Sequence, residues 1–172
     1  MLHRFPNGIE EDGFYQKNTE ALPAWIEQVL IKHDNRDVNY LIVQNLETLL
    51  YIANLGCIAL HPFHSQVNQL DFPDYSIFDL DPEAIDFKHV IRTANAIHSV
   101  LEGLKIPCFC KTSGGRGLHI YVPLGAKYTN EQSRQFAELI AQLTHEQLPD
   151  VTSLERLPKN RQGKVYIDYL QN

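Results

Sequence analysis

Apolar positions fall into short runs broken by Gly, Pro and acidic residues, and the period of each run predicts an element. Leu22, Trp25, Ile26, Val29 and Leu30 recur at helical spacing between Glu20 and His33, with Pro23 suited to a first turn, so a short helix is expected there. Val38 to Val43 reads as a strand, Leu46 to Asn54 as a buried helix stopped by Gly56, and Cys57 to Leu60 as a second short strand. Tyr75 to Leu80 is an apolar strand. Asp86 is placed to cap a helix that carries Phe87, Val90, Ile91, Ala94, Ile97 and Leu101 on one face and ends at Gly103.

Ile106 to Lys111 and Leu118 to Val122 read as two strands of a hairpin, joined by Ser113-Gly114-Gly115-Arg116-Gly117. Thr129 and Gln132 make a capping-box pattern ahead of Phe136, Leu139, Ile140 and Leu143, which predicts a helix from about Asn130 to Gln147. Leu148 to Gly163 has no period. Val165 to Leu170 returns as a strand that carries Asp168. Helices interleaved with strands, without an internal repeat, imply an α+β or α/β-like sheet domain.

At 172 residues, with 44% hydrophobic and 21% charged positions, the chain is expected to fold as a single globular domain. The longest apolar runs, Tyr40 to Val43 and Leu49 to Ala53, are too short to span a bilayer, and three cysteines without framework spacing suit reduced thiols, so a cytoplasmic protein with no membrane partner is expected. A net charge of -6 counts against a general nucleic-acid coat. Its distribution says more. Asp71, Asp74, Asp79, Asp81, Glu83 and Asp86 follow one another with no base among them, whereas Arg156, Lys159, Arg161 and Lys164 form a basic stretch. Clustered carboxylates repel unless a cation lies among them, and an adjoining basic stretch suits an anion that the cation bridges. Metal plus phosphate is the chemistry this pattern points to.

Asp79 and Asp81 are two apart at the end of a strand and therefore project from one face, where both can grip a divalent ion, with Pro82 expected to stop the strand after them. Asp168 interrupts a second apolar run and is the natural third carboxylate. Ser113, the loop glycines with free backbone amides, and His119 form a second constellation suited to a polyphosphate. Asp-x-Asp also occurs in glycosyltransferases and in phosphohydrolases with an aspartyl nucleophile. Pro82-Glu83 after the second acid fits the latter poorly. His61 and His64 flank Pro62-Phe63 with no third ligand nearby, which argues against zinc. Cys108 and Cys110 read as small core residues, and His89, His98 and His145 as solvated or rim positions.

Three stretches taken together resemble the polymerase domain of bacterial ligase D, a branch of the archaeo-eukaryotic primase superfamily. They are Phe78-Asp79-Leu80-Asp81-Pro82, Thr112 to Leu124 (TSGGRGLHIYVPL) and Val165-Tyr166-Ile167-Asp168-Tyr169-Leu170. Arg4-Phe5-Pro6-Asn7-Gly8-Ile9, Phe14-Tyr15-Gln16-Lys17 and Leu60-His61-Pro62-Phe63 extend the likeness nearly end to end. The resemblance implies a primase-type mixed β-sheet core flanked by helices, with the carboxylates on the sheet. It implies that Asp79, Asp81 and Asp168 bind two Mn²⁺ or Mg²⁺ ions for nucleotidyl transfer. His61, Ser113, His119 and Arg161 would hold the nucleoside triphosphate, and Lys111, Arg116 and Lys164 would meet nucleic acid. It further implies ribonucleotide-preferring extension or filling of DNA ends and gapped duplexes in non-homologous end joining, beside an ATP-dependent DNA ligase and a Ku-type end-binding protein, in association with the nucleoid.

Two family features are not matched. The segment that precedes Arg-x-Pro-x-Gly-Ile in the family, with its 5′-phosphate-binding bases, has no counterpart in these residues, nor does the Pro-Tyr-Ser-x-Arg motif after the third aspartate. A shortened or minimal domain is therefore expected, and a catalytically weak nucleotide- or nucleic-acid-binding remnant is the alternative function.

Overall fold

The computed structural model describes residues 1–19, 22–33 and 36–172, which gather into two compact units, Met1–Phe63 and His64–Asn172. In the first unit β1 (Leu2–Arg4) lies between β2 (Phe14–Gln16) and, beyond two further strands and a helix, β5 (Cys57–Leu60), all antiparallel. β3 (Gln28–His33) and β4 (Arg36–Leu41) form a separate antiparallel pair, followed by α1 (Leu46–Asn54). Asn45 caps α1 by accepting from the Thr48 amide at 2.9 Å. Gly56 then turns the chain at φ +74, where a Cβ would come within 2.8 Å of the Phe5 carbonyl oxygen. Only glycine fits that combination.

The helix expected over Glu20 to His33 does not form. Its first two residues, Glu20 and Ala21, lie outside the described residues, 24–26 form a turn, and Gln28–His33 is β3. The β-branched pair Val29 and Ile31 alternates inward and meets Tyr40 and Val38 across the ladder, and both partners are buried. That cross-strand packing outweighs an apparent helical spacing, leaving Leu30 exposed.

The second unit is built on a five-stranded mixed sheet in the order β7-β8-β6-β10-β9. Its elements are β6 (Tyr75–Pro82), α2 (Phe87–Gly103), β7 (Phe109–Thr112), β8 (Leu118–Pro123), α3 (Asn130–Gln147), β9 (Thr152–Ser153) and β10 (Val165–Asp168). All neighbours run antiparallel except β10 and β9. α2 and α3 cover one face: Phe78, Leu80, Ile120, Val122, Val165 and Ile167 from the sheet meet Val90, Ile97, Leu101 and Ile140, each 2% exposed or less. Because strand side chains alternate, the intervening residues Asp79, Asp81, His119, Tyr121, Tyr166 and Asp168 all project from the opposite face. This is the expected α+β arrangement with carboxylates on the sheet.

The predicted bounds of α1, α2, β5 and α3 match, and Asp86 and the Thr129–Gln132 box cap their helices. The inward faces differ in detail. On α2, Phe87 and Ile91 are exposed and Thr93 is buried, its hydroxyl donating to the His89 carbonyl at 2.9 Å. On α3, Leu139 and Leu143 point outward while Ser133, Ala137, Ile140, Ala141 and Thr144 face inward, a row of mainly small residues that lets the helix lie close against its neighbours. Pro82 is the last residue of β6, paired with Val165, so the strand runs one residue past the second acid. Cys110 is exposed because β7 is an edge strand, whereas Cys108 packs at the margin of the core. Among the described residues, no helix is long and apolar enough to cross a membrane.

Candidate active site

The register of three neighbouring strands assembles the site. Asp79 on β6 is the Cα partner of Asp168 on β10 and, on its other side, of His119 on β8; Asp81 is the partner of Tyr166. One row across the sheet therefore reads His119, Asp79, Asp168, and the next places Asp81 beside Tyr166. The three acids predicted from sequence do share a face.

Their electrostatics differ. The Asp79 carboxyl is pushed up to about 6, first by burial and then by the negative charges of Asp81 and Asp168. His119 Nε2 lies 3.4 Å from Asp79 Oδ1, a contact that carries full ion-pair character only with a protonated imidazole. Asp168 is surrounded by donors: the Tyr166 hydroxyl (3.2 Å) and Leu170 amide (2.9 Å) donate to Oδ1, and Gln171 Nε2 donates to Oδ2 at 2.9 Å. Asp81 is the most open of the three, with Arg161 Nη1 at 3.6 Å from Oδ2.

The Ser113 loop is joined to this row through its backbone. Leu118 pairs with Leu80, between the two acids of β6, and a Cβ on Gly117 would sit 2.3 Å from the Leu80 carbonyl oxygen. The absent side chain lets the loop lie directly on the carboxylate strand. Ser113 Oγ accepts from the amides of Gly115 (3.3 Å) and Gly117 (3.1 Å), so these two amides close the loop on itself instead of standing free for an anion, as the sequence had suggested. Gly114, at φ +92, makes the turn.

Arg161 follows a short 3₁₀ turn at Pro158–Asn160 and is held on several sides. Nε donates to the Glu155 carbonyl at 3.1 Å, Nη2 donates to the Arg156 carbonyl at 2.8 Å, and the guanidinium carbon stands 4.0 Å from the centroid of the Tyr166 ring. The remaining basic candidates are scattered. Lys164 donates to the Pro149 carbonyl at 2.9 Å, Lys111 is exposed with its ammonium 5.7 Å from the Tyr121 ring centroid, and Arg116 is exposed beside a cleft of about 430 Å³ lined also by Pro82, Glu83, Ile85 and Phe87. His61 belongs to the first unit, exposed at the end of β5, with the Tyr15 ring edge-on at 5.8 Å. Burial and the nearby positive N-terminus of Met1 hold its imidazole below the usual histidine value.

Three hard oxygen donors on one face, one of them with its pKa raised by burial and then by its like-charged neighbours, have the chemistry of a divalent-cation site. Among the described residues, no three His, Cys, Asp or Glu side chains are already closed around one point as a metal cage. Arg161 on Asp81 and the donors around Asp168 supply positive or hydrogen-bonding partners instead. Tyr166 and Gln171 were not singled out in the sequence. The two-residue spacing of Tyr166 and Asp168 on one strand was the available signal for Tyr166, while Gln171 lies past the strand, where alternation gives no guide.

A family model described as LigD, primase-polymerase domain, matches residues 1–172. The multifunctional non-homologous end joining protein LigD of Pseudomonas aeruginosa is 32% identical over 173 residues, covering 99% of this chain and 21% of that protein. The bifunctional counterpart of Bacillus subtilis is 31% identical over 172 residues, covering 98% of this chain and 27% of that protein. The chain thus spans about a quarter of the length of these curated relatives. Among solved structures, the polymerase domain of Mycobacterium tuberculosis ligase D in complex with DNA matches with a TM-score of 0.85 at 24% identity, covering 99% of this chain and 63% of that one. That likeness is one of fold.

Proposed function

Because this chain belongs to the LigD primase-polymerase domain family, we propose that it is a metal-dependent nucleotidyltransferase that extends or fills DNA ends during non-homologous end joining, with ribonucleotides as preferred substrates. The observation that carries this reading is the register of Asp79 with Asp168 across β6 and β10, with Asp81 on the same face and the Ser113 loop seated on the intervening Leu80. Asp79, Asp81 and Asp168 would hold two Mn²⁺ or Mg²⁺ ions. Such ions, when bound, supply activation of a primer 3′-hydroxyl and neutralisation of triphosphate charge.

The chain's own residues have separate tasks in this scheme. Ser113 and His119 hold the triphosphate beside the carboxylate row, and Arg161 neutralises charge on the leaving pyrophosphate from the Asp81 side. His61 is assigned to the nucleotide by its motif alone. Lys111, Arg116 and Lys164 are candidates for phosphate contacts along nucleic acid, and Lys164 would have to leave Pro149 to serve. A DNA ligase and a Ku-type protein are the partners such an activity needs at a broken end.

Arg161 on Asp81 favours a second reading, in which the chain binds nucleotides or nucleic acid without catalysis, because a built-in cation already occupies one of the acids. Nucleotide incorporation on a primed, gapped duplex with Mn²⁺ separates the two. The polymerase reading expects incorporation that falls by at least about a hundredfold in Asp81→Asn and Asp168→Asn, with the thermal unfolding transition retained. Nucleotide binding without incorporation in the unsubstituted chain would favour the second reading.

A further inference from the structure

Tyr166 is 2% exposed and lies on β10, between Val165 and Ile167, which face the helices. Alternation turns it to the carboxylate face, in register with Asp81 and two residues before Asp168. Its two ends do different things. The hydroxyl donates to Asp168 Oδ1 at 3.2 Å, and the ring lies 4.0 Å from the Arg161 guanidinium carbon. Arg161 in turn reaches Asp81 Oδ2 at 3.6 Å, and its side chain is only 12% exposed. A buried ring would satisfy packing as phenylalanine, so the hydroxyl on a carboxylate and the cation on the ring ask for another explanation.

We propose that Tyr166 is a positioning residue: its hydroxyl sets the orientation of the Asp168 carboxylate, and its ring sets the plane and place of the Arg161 guanidinium beside Asp81. One side chain thereby ties together an acid from each of two strands and the arginine that faces the substrate's charge. The inference rests on the reading of these carboxylates as metal ligands and deepens it. Carboxylates that ligate metals are themselves held by hydrogen bonds, and loss of such an outer partner typically costs about 10- to 100-fold in metal affinity or activity. A guanidinium over a buried aromatic face is likewise restricted to one plane.

The two tasks are separable by substitution. Tyr166→Phe removes the hydroxyl and keeps the ring; Tyr166→Leu removes both. Mn²⁺ binding to the full chain, followed by the electron paramagnetic resonance signal of free Mn²⁺, reads the first task without any turnover. Tyr166→Phe is expected to bind Mn²⁺ about tenfold more weakly, with an unchanged unfolding midpoint and, at saturating Mn²⁺, an unchanged KM for nucleotide. Tyr166→Leu is expected to show the same weakening together with a raised KM. Wild-type Mn²⁺ affinity in Tyr166→Phe overturns the proposal, as does a loss of affinity that merely tracks a fall in unfolding midpoint. If the unsubstituted chain binds no Mn²⁺, the metal reading fails and this inference with it, a result distinct from failure of the Tyr166 assignment alone.

Discussion

Asp79 and Asp168 are Cα partners on antiparallel strands, yet they keep different company: Asp79 faces like charges and an imidazole, whereas Asp168 accepts three hydrogen bonds from its own strand and the turn after it. The pair therefore holds one carboxylate at a cost to the fold and one at a gain. That asymmetry makes Asp79 the acid whose removal should raise stability.

Asp79→Asn is expected to stabilise the protein in chelator-containing buffer at pH 8. The folded carboxyl titrates at about 6 against 3.8 for the ordinary group, so the native state binds the extra proton between these values and stability falls as pH rises through that window. Two pH units correspond to about 3 kcal/mol at most, and with nearly a third of the side chain exposed about 1 to 2 kcal/mol is expected at pH 8. Denaturant unfolding should show the advantage shrinking toward zero near pH 4. An advantage independent of pH would mean that charge is not its source.

His119→Ala should weaken nucleotide binding about ten- to a hundredfold, the size expected for a charge-assisted contact of about 1.5 to 3 kcal/mol, with a smaller effect on binding to a DNA duplex. Fluorescence titrations with a labelled nucleotide and a labelled duplex compare the two. Equal losses, or none, would remove His119 from the triphosphate.

Gly117→Ala should dislodge the Ser113 loop, because the Leu80 carbonyl that the new methyl group meets belongs to the central strand and cannot yield. A cost of about 1 to 3 kcal/mol in stability is expected, with nucleotide affinity lost alongside it. Gly103→Ala, whose methyl group would enter open space at the end of α2, is the control and should be neutral or stabilising by up to about 1 kcal/mol.

Thr129→Ala removes the side chain that accepts from the Gln132 amide and half of a reciprocal capping box. A loss of about 1 kcal/mol is expected by thermal or denaturant unfolding, with nucleotide binding unaffected, since the cap lies at the start of α3 and away from the carboxylate face.

Local chemistry was what the sequence carried best. Asp86 and Thr129 each announced a helix start through a short-range hydrogen bond, and the alternation of Asp79 with Leu80 and Asp81 placed two acids on one face without knowledge of the partner strands. The failures are cases in which a distant partner decides. Val29 and Ile31 became strand residues because Tyr40 and Val38 lie across from them, and Leu139 and Leu143 turned outward because the contact surface of α3 demanded small side chains. The candidate site divides in the same way. Carboxylates, serine and histidine stand out by residue type, while the clasp of Tyr166 on Asp168 and Arg161 arises only once β10 is laid beside β6.

Past Asp168 the ladder on that side of β6 ends, and the hydrogen-bonding groups of Ile77 are met by a side chain: Asn172 Oδ1 accepts from the Ile77 amide at 2.8 Å and from Ser76 Oγ at 2.9 Å, while Nδ2 donates to the Ile77 carbonyl at 2.8 Å and to that of Tyr169 at 2.9 Å. A primary amide thus imitates one residue of a neighbouring strand. Left bare, that stretch of β6 would offer a donor and an acceptor in strand geometry to any passing chain, which is how sheets recruit one another into aggregates. Asn172 closes both groups within this chain, and its replacement by leucine should leave the Ile77 amide and carbonyl unpaired, at a cost of about 1 to 3 kcal/mol in denaturant unfolding.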